Sequence, residues 1–512
     1  MRPAARRGIH NPPPARVGKC PGNAAHGFLP WQAFELTRQP RRGKPAGVQT
    51  NELIQLGVPL GEPMRRANDF ICAYCLRGGD RTRLAAEVAA VVRSPADFLA
   101  DPLRGSFAKA LQAAPPPLRA QPAEFRQWGE NLEPEAVLQM QKACLIPVAV
   151  AGALMPDAHP GYGLPIGGVL ATEQAVLPYA VGVDIACRMK LSVLDLPPKT
   201  LDKKRDRLAR ILEEETRFGG GAIFEERRQH PVMDEDWSVS PVTRQCKDRA
   251  WAQLGTSGSG NHFVEFGRFQ LPEPLAELPA GEYVAILSHS GSRAAGAMVC
   301  SHYSQLAFDR HPELPRELLR LAWLDLASAE GQEYWAAMEL LGRYAAANHE
   351  LIHRGLAEKL GAQVLLAVEN HHNFAWKEIH GGREVVVHRK GATPAGAGVL
   401  GIIPGSMAAP GFLVRGRGHA ESLASAAHGA GRLLSRAQAA HTLSWKKASK
   451  LLRELDVTLL SAGLDEVPMV YKDIHQVMAS QSDLVESLGR FEPKIVKMCP
   501  DEDSPHPGDG EL

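Results

Sequence analysis

The sequence predicts an α+β fold in which mixed or antiparallel sheets are surrounded by peripheral helices. Between residues 149 and 497, short apolar stretches rich in Val, Ile and Leu recur, and each leads into a Gly-rich turn, as buried strands do. Segments with a helical pattern lie before, between and after these stretches, and no internal repeat of fixed period is present. The predicted helical segments are 53–127, 202–216, 313–360 with a break near 329–331, 437–455 and 473–489.

Composition divides the chain into four parts. Residues 1–50 are rich in Arg, Pro and Gly without an apolar period, so we expect a disordered basic extension. They lack the apolar run of a secretory signal; a transit peptide, or residues read from an upstream start codon, are the alternatives. We expect a peripheral helical region at 51–148, one large domain at 149–497 and a disordered acidic tail at 498–512.

Charge and cysteine usage limit the class of protein. The net charge of +1 argues against a globally basic nucleic-acid binder, so any such binding must use a local basic patch. The eight cysteines are scattered and favour a reducing cytoplasm over a disulfide scaffold. Cys72 and Cys75 form a CxxC that we place on a helix, since no second CxxC completes a zinc site. No apolar run reaches the length of a membrane span, about 18 residues.

Residues 179–189, YAVGVDIACRM, are the segment around which we expect a functional site to form. They begin apolar, with Val181 and Val183, and predict a short buried strand. Asp184 and Cys187 then bring a carboxylate and a thiol three residues apart. Burying an unpaired charge is costly, and a metal ion offsets both negative charges, so this pair predicts a metal site.

Asp184 and Cys187 alone cannot complete the coordination sphere of a metal ion. Further candidate ligands lie at the ends of other predicted strands or in Gly-rich turns: Asn261, His262, His289, His371, His372 and His428. A single loop histidine is usually structural, but the repetition at strand ends favours ligation. The resulting O, N and S donors admit Zn, Fe, Co or Mn, and thiolate alone favours Zn. Asp157 and His159, in a preceding Gly-rich segment, are candidates for orienting the metal-bound histidines.

Several Gly-rich loops also carry Ser, Asn or His, which suits backbone amides that hold a phosphate. Tight turns are the alternative interpretation, and no loop matches a Walker A or dinucleotide fingerprint. His428 stands directly before Gly-Ala-Gly, and we expect Arg432 and Arg436 on one face of a starting helix. Each cation near these loops is unremarkable alone, but together they indicate phosphate recognition: Arg293, Lys390, Arg432 and Arg436.

Eight motifs, in order, resemble those of the RtcB-type RNA-splicing ligases, over roughly residues 149–497. They are MPDAHPGYGLPIGGV, VGVDIACRM, LGTSGSGNHFVEF, HSGSR, ENHHN, GIIPGSM, HGAGRLLSR and YKDIHQVMASQSDLV. The resemblance implies that 149–497 is the catalytic domain of a ligase dependent on GTP and two Mn²⁺ ions. Such an enzyme joins RNA 3′-phosphate or 2′,3′-cyclic phosphate ends to 5′-hydroxyl ends, in RNA repair or tRNA splicing. It further implies RNA as partner, with an archease-type protein as activator.

The resemblance also assigns roles to residues. Cys187 would be a thiolate bridging two Mn²⁺ ions, with Asp184 and His262 completing one site and His289 and His372 the other. His428 would be the nucleophile that becomes guanylylated. The GMP pocket would include Asn261, His262, Phe263, Val264, Glu265, His372, Asn373, Pro404, Gly405, Ser406, Met407, His428, Gly429, Ala430, Gly431, Tyr471 and Lys497. The RNA phosphates would meet Arg293, Lys390, Arg432 and Arg436.

The chain departs from the family pattern in two places. Ala186 and Arg188 stand where the family usually has glycine, which predicts crowding of the metal loop. Lys497 is followed by Met498 and an acidic tail instead of ending the chain, which puts its family role in doubt. The alternative function is a metal-dependent phosphoesterase acting on RNA ends, which would not need His428. Covalent GMP on the protein distinguishes the two.

Overall fold

The computed structural model describes residues 52–53, 56–59, 62–112 and 118–501. The prediction of disorder for 1–50, and that for 502–512 of the tail, therefore lie outside the described residues. The helices of the described chain are α1 Glu62–Leu76, α2 Leu84–Arg93, α3 Gly105–Gln112, α4 Pro134–Ala143, α5 Pro178–Val181, α6 Thr200–Lys203, α7 Arg205–Glu215, α8 Pro241–Gln253, α9 Arg293–Arg310, α10 Ala329–Leu360, α11 Arg436–Thr442, α12 Trp445–Glu454 and α13 Ile474–Ala479.

The strands and helices occur largely in separate runs, and the sheets are mainly antiparallel, so the α+β class is confirmed. The strands are β1 Phe125–Gln127, β2 Ala149–His159, β3 Ile166–Thr172, β4 Ala175–Val176, β5 Arg188–Leu194, β6 Phe263–Leu271, β7 Gly281–Ser290, β8 Leu324–Asp325, β9 Val364–His371, β10 Asn373–His380, β11 Arg383–Lys390, β12 Ala392–Pro394, β13 Leu400–Ile403, β14 Gly411–Gly416, β15 Ser425–Ala427, β16 Thr458–Ser461 and β17 Val485–Met498.

An eight-stranded sheet carries most of the predicted ligands. Its strand order is β13-β14-β17-β6-β7-β5-β9, with β16 joined in parallel to β17 and the other pairs antiparallel. The side chain of Asn370, in β9, accepts a hydrogen bond from the backbone N–H of Ile402 in β13 at 2.8 Å and donates to the Ile402 carbonyl at 3.3 Å. One buried amide therefore links the two edge strands, and the sheet is nearly closed.

A second, five-stranded sheet has the order β1-β2-β3-β11-β10. Its pairs are antiparallel except β1 with β2. The two sheets meet in sequence where β9 is followed, after His372, by β10. The end of β2 and the turn between β9 and β10 are thereby brought to the same place as the ends of β5 and β7, which is where the candidate site lies.

Apolar side chains fill both sides of the eight-stranded sheet. One cluster lies inside its curve and includes Leu191, Leu287 and Phe491. Another lies between its outer face, α7 and α10, and includes Leu212 and Ile352. The 32-residue helix α10 begins at Ser328, whose side chain accepts a hydrogen bond from Gly331 N–H, and ends at Gly361 in the left-handed conformation (φ 66°). Within the described residues no helix combines the length and the apolar character that crossing a bilayer requires.

Several predicted elements are wrong in detail. Residues 179–189 are not one strand, because Pro178 starts the short helix α5 and Gly182, at φ 98°, ends it; the strand begins only at Arg188. The helix near 202–216 is split, and Asp202 does not cap it. Residues 313–328 contain only a 3-10 turn and β8, so the long helix begins at the expected break.

Two predicted C-terminal helices also differ. The segment 437–455 forms two helices, α11 and α12, separated after Thr442. The segment 473–489 is helical only as far as Ala479, since its second half belongs to the 14-residue strand β17. That strand continues to Met498, the first residue of the predicted tail. Cys72 and Cys75 lie on helix α1, as predicted.

Candidate metal and histidine site

The predicted metal ligands converge from four separate segments of the chain. Cys187 immediately precedes β5, and His289 lies near the end of β7, which pairs with β5 through Met189. His372 follows β9, which pairs with β5 on its other side. His262 precedes β6, the neighbour of β7. Adjacent strands that end at the same level thus bring together residues that are far apart in sequence.

The thiol of Cys187 lies at the centre of this group. Its Sγ is 3.1 Å from His289 Nε2 and 3.3 Å from His262 Nε2. His289 Nε2 is in turn 3.1 Å from His372 Nε2, and His262 Nε2 is 2.8 Å from Asp184 Oδ2. Two triads share the thiol: Cys187, His289 and His372, and Asp184, Cys187 and His262.

The backbone of the loop before β5 is held from both sides. Ala186 N–H donates to the Asn373 carbonyl at 2.7 Å, and His372 N–H donates to the Cys187 carbonyl at 2.9 Å. Asp184 Oδ1 accepts a hydrogen bond from Ser292 N–H at 2.9 Å. Any side chain at Gly291 would collide with the Asp184 carboxylate, so glycine is required there. The loop therefore presents Asp184 and Cys187 in one fixed orientation.

The donor atoms fit a bound cation. His289 Nδ1–H donates to the Asn261 carbonyl at 3.1 Å, which leaves an unprotonated Nε2 directed at the thiol. Burial lowers the pKa of His289 to about 3, so the ring is neutral, as a metal ligand must be. Among the described residues, no hydrogen-bond partner reaches the buried Nδ1 atoms of His262 and His372. Sulfur, nitrogen and carboxylate oxygen atoms that converge in this way are an arrangement that a metal ion stabilises.

The electrostatics of the site also favour a bound cation. Burial and the nearby Asp184 carboxylate raise the pKa of Cys187 well above its usual range, which favours the thiol. Burial would also raise the pKa of Asp184, but the adjacent His262 ring and hydrogen bonds hold it below its usual value. A bound metal ion would instead lower the pKa of Cys187, because a metal-bound thiol is deprotonated.

His428 lies beside the metal triads. Its ring centroid is 4.9 Å from that of His372. The fully buried Asp157 carboxylate, at the end of β2, uses Oδ2 to accept hydrogen bonds from His428 Nδ1–H at 2.7 Å, His428 N–H at 3.2 Å and Gly429 N–H at 3.3 Å. Because Nδ1 carries the proton, Nε2 of His428 is left with a free lone pair. Asp157 was expected to orient a metal-bound histidine, and the histidine that it orients is His428.

The backbone around His428 is packed tightly against β2. Gly431 has φ 73° and lies so close to the Asp157 carbonyl that a Cβ atom there would collide with it. Lys472 N–H donates to the Gly431 carbonyl at 3.0 Å, and Lys472 Nζ donates to the Ala158 carbonyl at 2.6 Å. These contacts hold the loop that carries His428 against the strand that carries Asp157.

A cavity of about 480 Å³ opens above the metal triads and His428. It has the size of a small-molecule or nucleotide site. The predicted site residues that line it are Asp184, Cys187, Asn261, Phe263, Glu265, His289, His372, Asn373, Pro404, Gly405, Ser406, Met407, His428, Gly429, Ala430, Gly431, Arg432, Arg436 and Tyr471. The buried Glu265 has its pKa raised well above the usual range by burial.

Lys497 and Val264 do not direct their side chains into this cavity. They are paired residues of β17 and β6, so their side chains lie on the same face of the sheet. Lys497 Nζ donates to the Glu213 carbonyl at 3.3 Å and to the Thr216 carbonyl at 3.4 Å, on the side covered by α7. The cavity is lined instead by the next residues along β17, Val496 and Met498. The prediction that the Lys497 side chain lines a nucleotide pocket was wrong.

The four predicted cations divide into two pairs. Arg293 and Lys390 do not line the cavity; both are held by backbone carbonyls, Arg293 by Thr256 and Lys390 by Tyr162 at 2.6 Å. Burial lowers the pKa of Lys390 to about 8.

Arg432 and Arg436 do line the cavity, and both contact one carboxylate. Oε1 of the buried Glu466 accepts from Arg432 Nη1 at 3.1 Å and from Arg436 Nη1 at 2.6 Å. The Tyr471 hydroxyl donates to the other oxygen of Glu466. Arg432 precedes α11, so the two arginines do not share a helix face as predicted. They meet because Glu466 holds them together.

Ala186 and Arg188, the departures from the family pattern, are both accommodated. Ala186 adopts φ 58°, a left-handed conformation that favours glycine. Arg188 turns away from the metal loop: Nη1 contacts Glu369 Oε1 at 2.5 Å and Nη2 donates to the Gly342 carbonyl at 2.8 Å. The predicted crowding of the metal loop by Arg188 is therefore absent. The conformational strain of replacing glycine is confined to the backbone of Ala186.

The sequence reasoning missed three features of the site. The contact of Asp157 with His428 joins residues 271 positions apart, and no local pattern indicated it. Glu466 was not among the predicted site residues; the available signal was a carboxylate two residues before Pro468 and five before Tyr471. Tyr162 also lines the cavity; its position between two glycines was the available signal.

A histidine oriented by a buried carboxylate, beside Cys, His and Asp side chains that could hold a metal ion, is an arrangement typical of an enzyme active site. Comparison with known proteins identifies the group. The family described as tRNA-splicing ligase RtcB matches residues 139–239 and 229–498. The chain belongs to the RtcB family.

Characterised relatives match most of the chain. The RNA-splicing ligase RtcB of Escherichia coli strain K12 is 33% identical over 405 residues, which cover 72% of this chain and 96% of the relative. The RNA-splicing ligase RtcB of Mycobacterium tuberculosis is 32% identical and covers 70% of this chain and 99% of its own length. The tRNA-splicing ligase RtcB of Nanoarchaeum equitans is 30% identical, with coverage of 71% and 91%.

Proposed function

We propose that this protein is a GTP- and manganese-dependent RNA ligase. It joins an RNA 3′-phosphate, or a 2′,3′-cyclic phosphate after opening by water, to an RNA 5′-hydroxyl, in RNA repair or tRNA splicing. The single observation that carries the proposal is His428: Asp157 holds its Nδ1–H, and its ring lies beside His372 at the wall of the cavity. Membership of the RtcB family supports RNA as the substrate class.

The first step of the proposed reaction uses the free Nε2 of His428. This nitrogen attacks the α-phosphorus of GTP, forming a phosphorus–nitrogen bond while pyrophosphate leaves. The ring becomes cationic during the attack, and the Asp157 carboxylate on Nδ1–H stabilises that charge. An oxygen of the RNA 3′-phosphate then displaces His428 and takes up GMP. The 5′-hydroxyl oxygen finally attacks the 3′-phosphate phosphorus, and GMP leaves.

The cavity walls supply the nucleotide contacts in this proposal. Gly429 and Ala430 follow His428 and bring backbone atoms close to a bound phosphate. Glu265 has a buried carboxyl group that forms no ion pair with any described residue, and a guanine base offers N–H donors to such a group. Asn261 and Ser406 add further polar side chains to the lining.

The metals of the proposal would be held by the two triads that share Cys187. Bound Mn²⁺ would supply neutralisation of phosphate charge and Lewis acidity next to His428. The ligand types alone admit several transition metals, so the choice of manganese rests on the family resemblance.

RNA phosphates would be met by Arg432 and Arg436, whose guanidinium groups line the cavity. Glu466 fixes their positions and partly neutralises their charge. We therefore expect the two arginines to orient the RNA rather than to supply most of its binding free energy. An archease-type protein is the activating partner that completes the proposal.

The test is mass spectrometry of the protein after incubation with GTP and Mn²⁺. We expect a gain of one GMP, as an acid-labile, base-stable phosphoramidate. His428→Ala should lose both the adduct and the sealing of RNA ends, yet keep its metal content. His371→Gln is the matched control: its ring packs on Phe374 and Trp376 outside the cavity lining, so the adduct should persist.

The alternative is a metal-dependent phosphoesterase acting on RNA ends. It would release phosphate from RNA without GTP and would be unaffected by His428→Ala. An adduct that survives in His428→Ala would place the nucleophile elsewhere, and sealing without any adduct would reject the covalent mechanism.

A further inference from the structure

One aromatic side chain at the cavity has no role in the chemistry described above. Tyr162 lines the cavity that contains His428, yet 64% of the residue is exposed. It is one of the few large side chains with apolar surface that the described part of the protein leaves in solvent. An exposed ring at the entrance to a phosphate-handling site is a candidate surface for a nucleobase.

The loop that carries Tyr162 is held in place. Lys390 Nζ donates to the Tyr162 carbonyl at 2.6 Å. The side chain of Gln139 donates to the Gly161 carbonyl at 3.0 Å and accepts from Gly161 N–H at 2.9 Å. On the other side, Gly163 packs against the backbone of Arg320 so closely that a Cβ atom would lie 2.9 Å from the Arg320 carbonyl oxygen. The ring is therefore exposed on a fixed loop, as preorganised binding surfaces are.

Arg320 covers one face of this ring. Its guanidinium carbon lies 4.6 Å from the Tyr162 ring centroid and 5.6 Å from that of Tyr179. Among the described residues, no carboxylate forms an ion pair with Arg320, which is itself exposed. Because an aromatic ring has two faces and Tyr162 is still largely exposed, the described residues leave its second face free. A positive, unneutralised guanidinium behind a free aromatic face favours a ligand with a π surface and a negative charge.

We propose that Tyr162 and Arg320 form a stacking platform for a base of the RNA strand whose 3′ end enters the cavity. A base stacks on the free face of Tyr162, and the charge of Arg320 attracts the adjoining phosphate. Stacking is tolerant of base identity, so the platform holds RNA ends of different sequence. This inference rests on the proposed function, and it adds a contact on the RNA chain away from the reacting phosphate.

The test uses short RNAs with a 3′-phosphate. One is intact, and each of the others lacks a single base at a different position near the 3′ end. Binding to the full-length protein with Mn²⁺ is measured by fluorescence anisotropy. Tyr162→Ala should weaken binding of the intact RNA about tenfold, the loss of one stacked base. It should leave binding of the RNA that is abasic at the stacked position unchanged. Tyr162→Phe, which keeps the ring, should bind like the wild type.

Arg320→Gln should weaken binding of the intact and abasic RNAs to the same extent and reduce the salt dependence of binding, because it removes a phosphate contact.

Equal weakening of intact and all abasic RNAs by Tyr162→Ala would overturn the platform and assign Tyr162 to loop structure. If the wild type formed no adduct and bound no RNA end, the proposed function itself would fall, and the platform with it.

Discussion

The contact between Asp157 and His428 yields a quantitative prediction. Three N–H groups point at one oxygen, Oδ2, whereas the buried Oδ1 has no partner among the described residues. In Asp157→Asn the amide oxygen will therefore occupy the position of Oδ2, because the reverse orientation would place NH₂ against three donors. His428 then keeps its Nδ1–H tautomer and loses only the negative charge beside the ring.

The size of the effect follows from the difference between hydrogen bonds. A bond to a charged acceptor contributes about 1.5–3 kcal/mol and a neutral one about 0.5–1.5 kcal/mol, so the substitution removes about 1–1.5 kcal/mol. That loss falls on the transition state, where the ring becomes cationic, and corresponds to about a tenfold slower guanylylation. Asp157→Ala removes the acceptor altogether and with it the tautomer control, so we expect a loss of about 100-fold.

The assay is the single-turnover rate of GMP transfer from α-labelled GTP to the protein, at fixed Mn²⁺. Metal content by elemental analysis is the control. It should be the same in the wild type and both variants, because among the described residues Asp157 is linked to the candidate metal ligands only through the ring of His428. If Asn slowed the reaction more than Ala, or if neither variant slowed it, the assignment of Asp157 as the residue that positions His428 would be refuted.

Two further predictions concern the metal ligands and Lys497. Cys187→Ala removes the donor shared by both triads and should abolish tight metal binding at both. His372→Ala should affect mainly one of the two sites. The measurement is metal content by elemental analysis, and full metal occupancy in Cys187→Ala would contradict the two-metal arrangement. Lys497→Met should leave the dissociation constant for GTP unchanged, since Nζ lies on the other face of the sheet. Burial lowers the pKa of Lys497 to about 8, below its unfolded value of about 10.4, so wild-type stability should rise with pH between these values. Burial also lowers the pKa of Lys390 to about 8, so that residue contributes in the same window. In Lys497→Met the rise measured by chemical denaturation should therefore be smaller than in the wild type, and a rise of unchanged size would contradict the assigned position.

The sequence by itself determined which residue types could make the site and where along the chain they lie. Apolar runs ending in polar turns placed His289 and His372 at strand ends, because strand period and turn chemistry are local properties. Cys187 was expected at the end of a strand, but it lies just before β5. The order of eight motifs was sufficient to indicate the family. The position of His428 before Gly-Ala-Gly was likewise readable from the sequence.

Only the tertiary structure decided the orientation and the partner of each side chain. Val264 lies in one of the eight motifs and Lys497 at the end of the region that resembles the family, but strand pairing directs both side chains away from the cavity, and a shift of one residue would reverse this. Asp157 contacts His428 across 271 residues because β2 and β15 end at the same place. Glu466 joins Arg432 and Arg436 in the same way. Contacts of this kind depend on how sheets pack in space, which no local periodicity records.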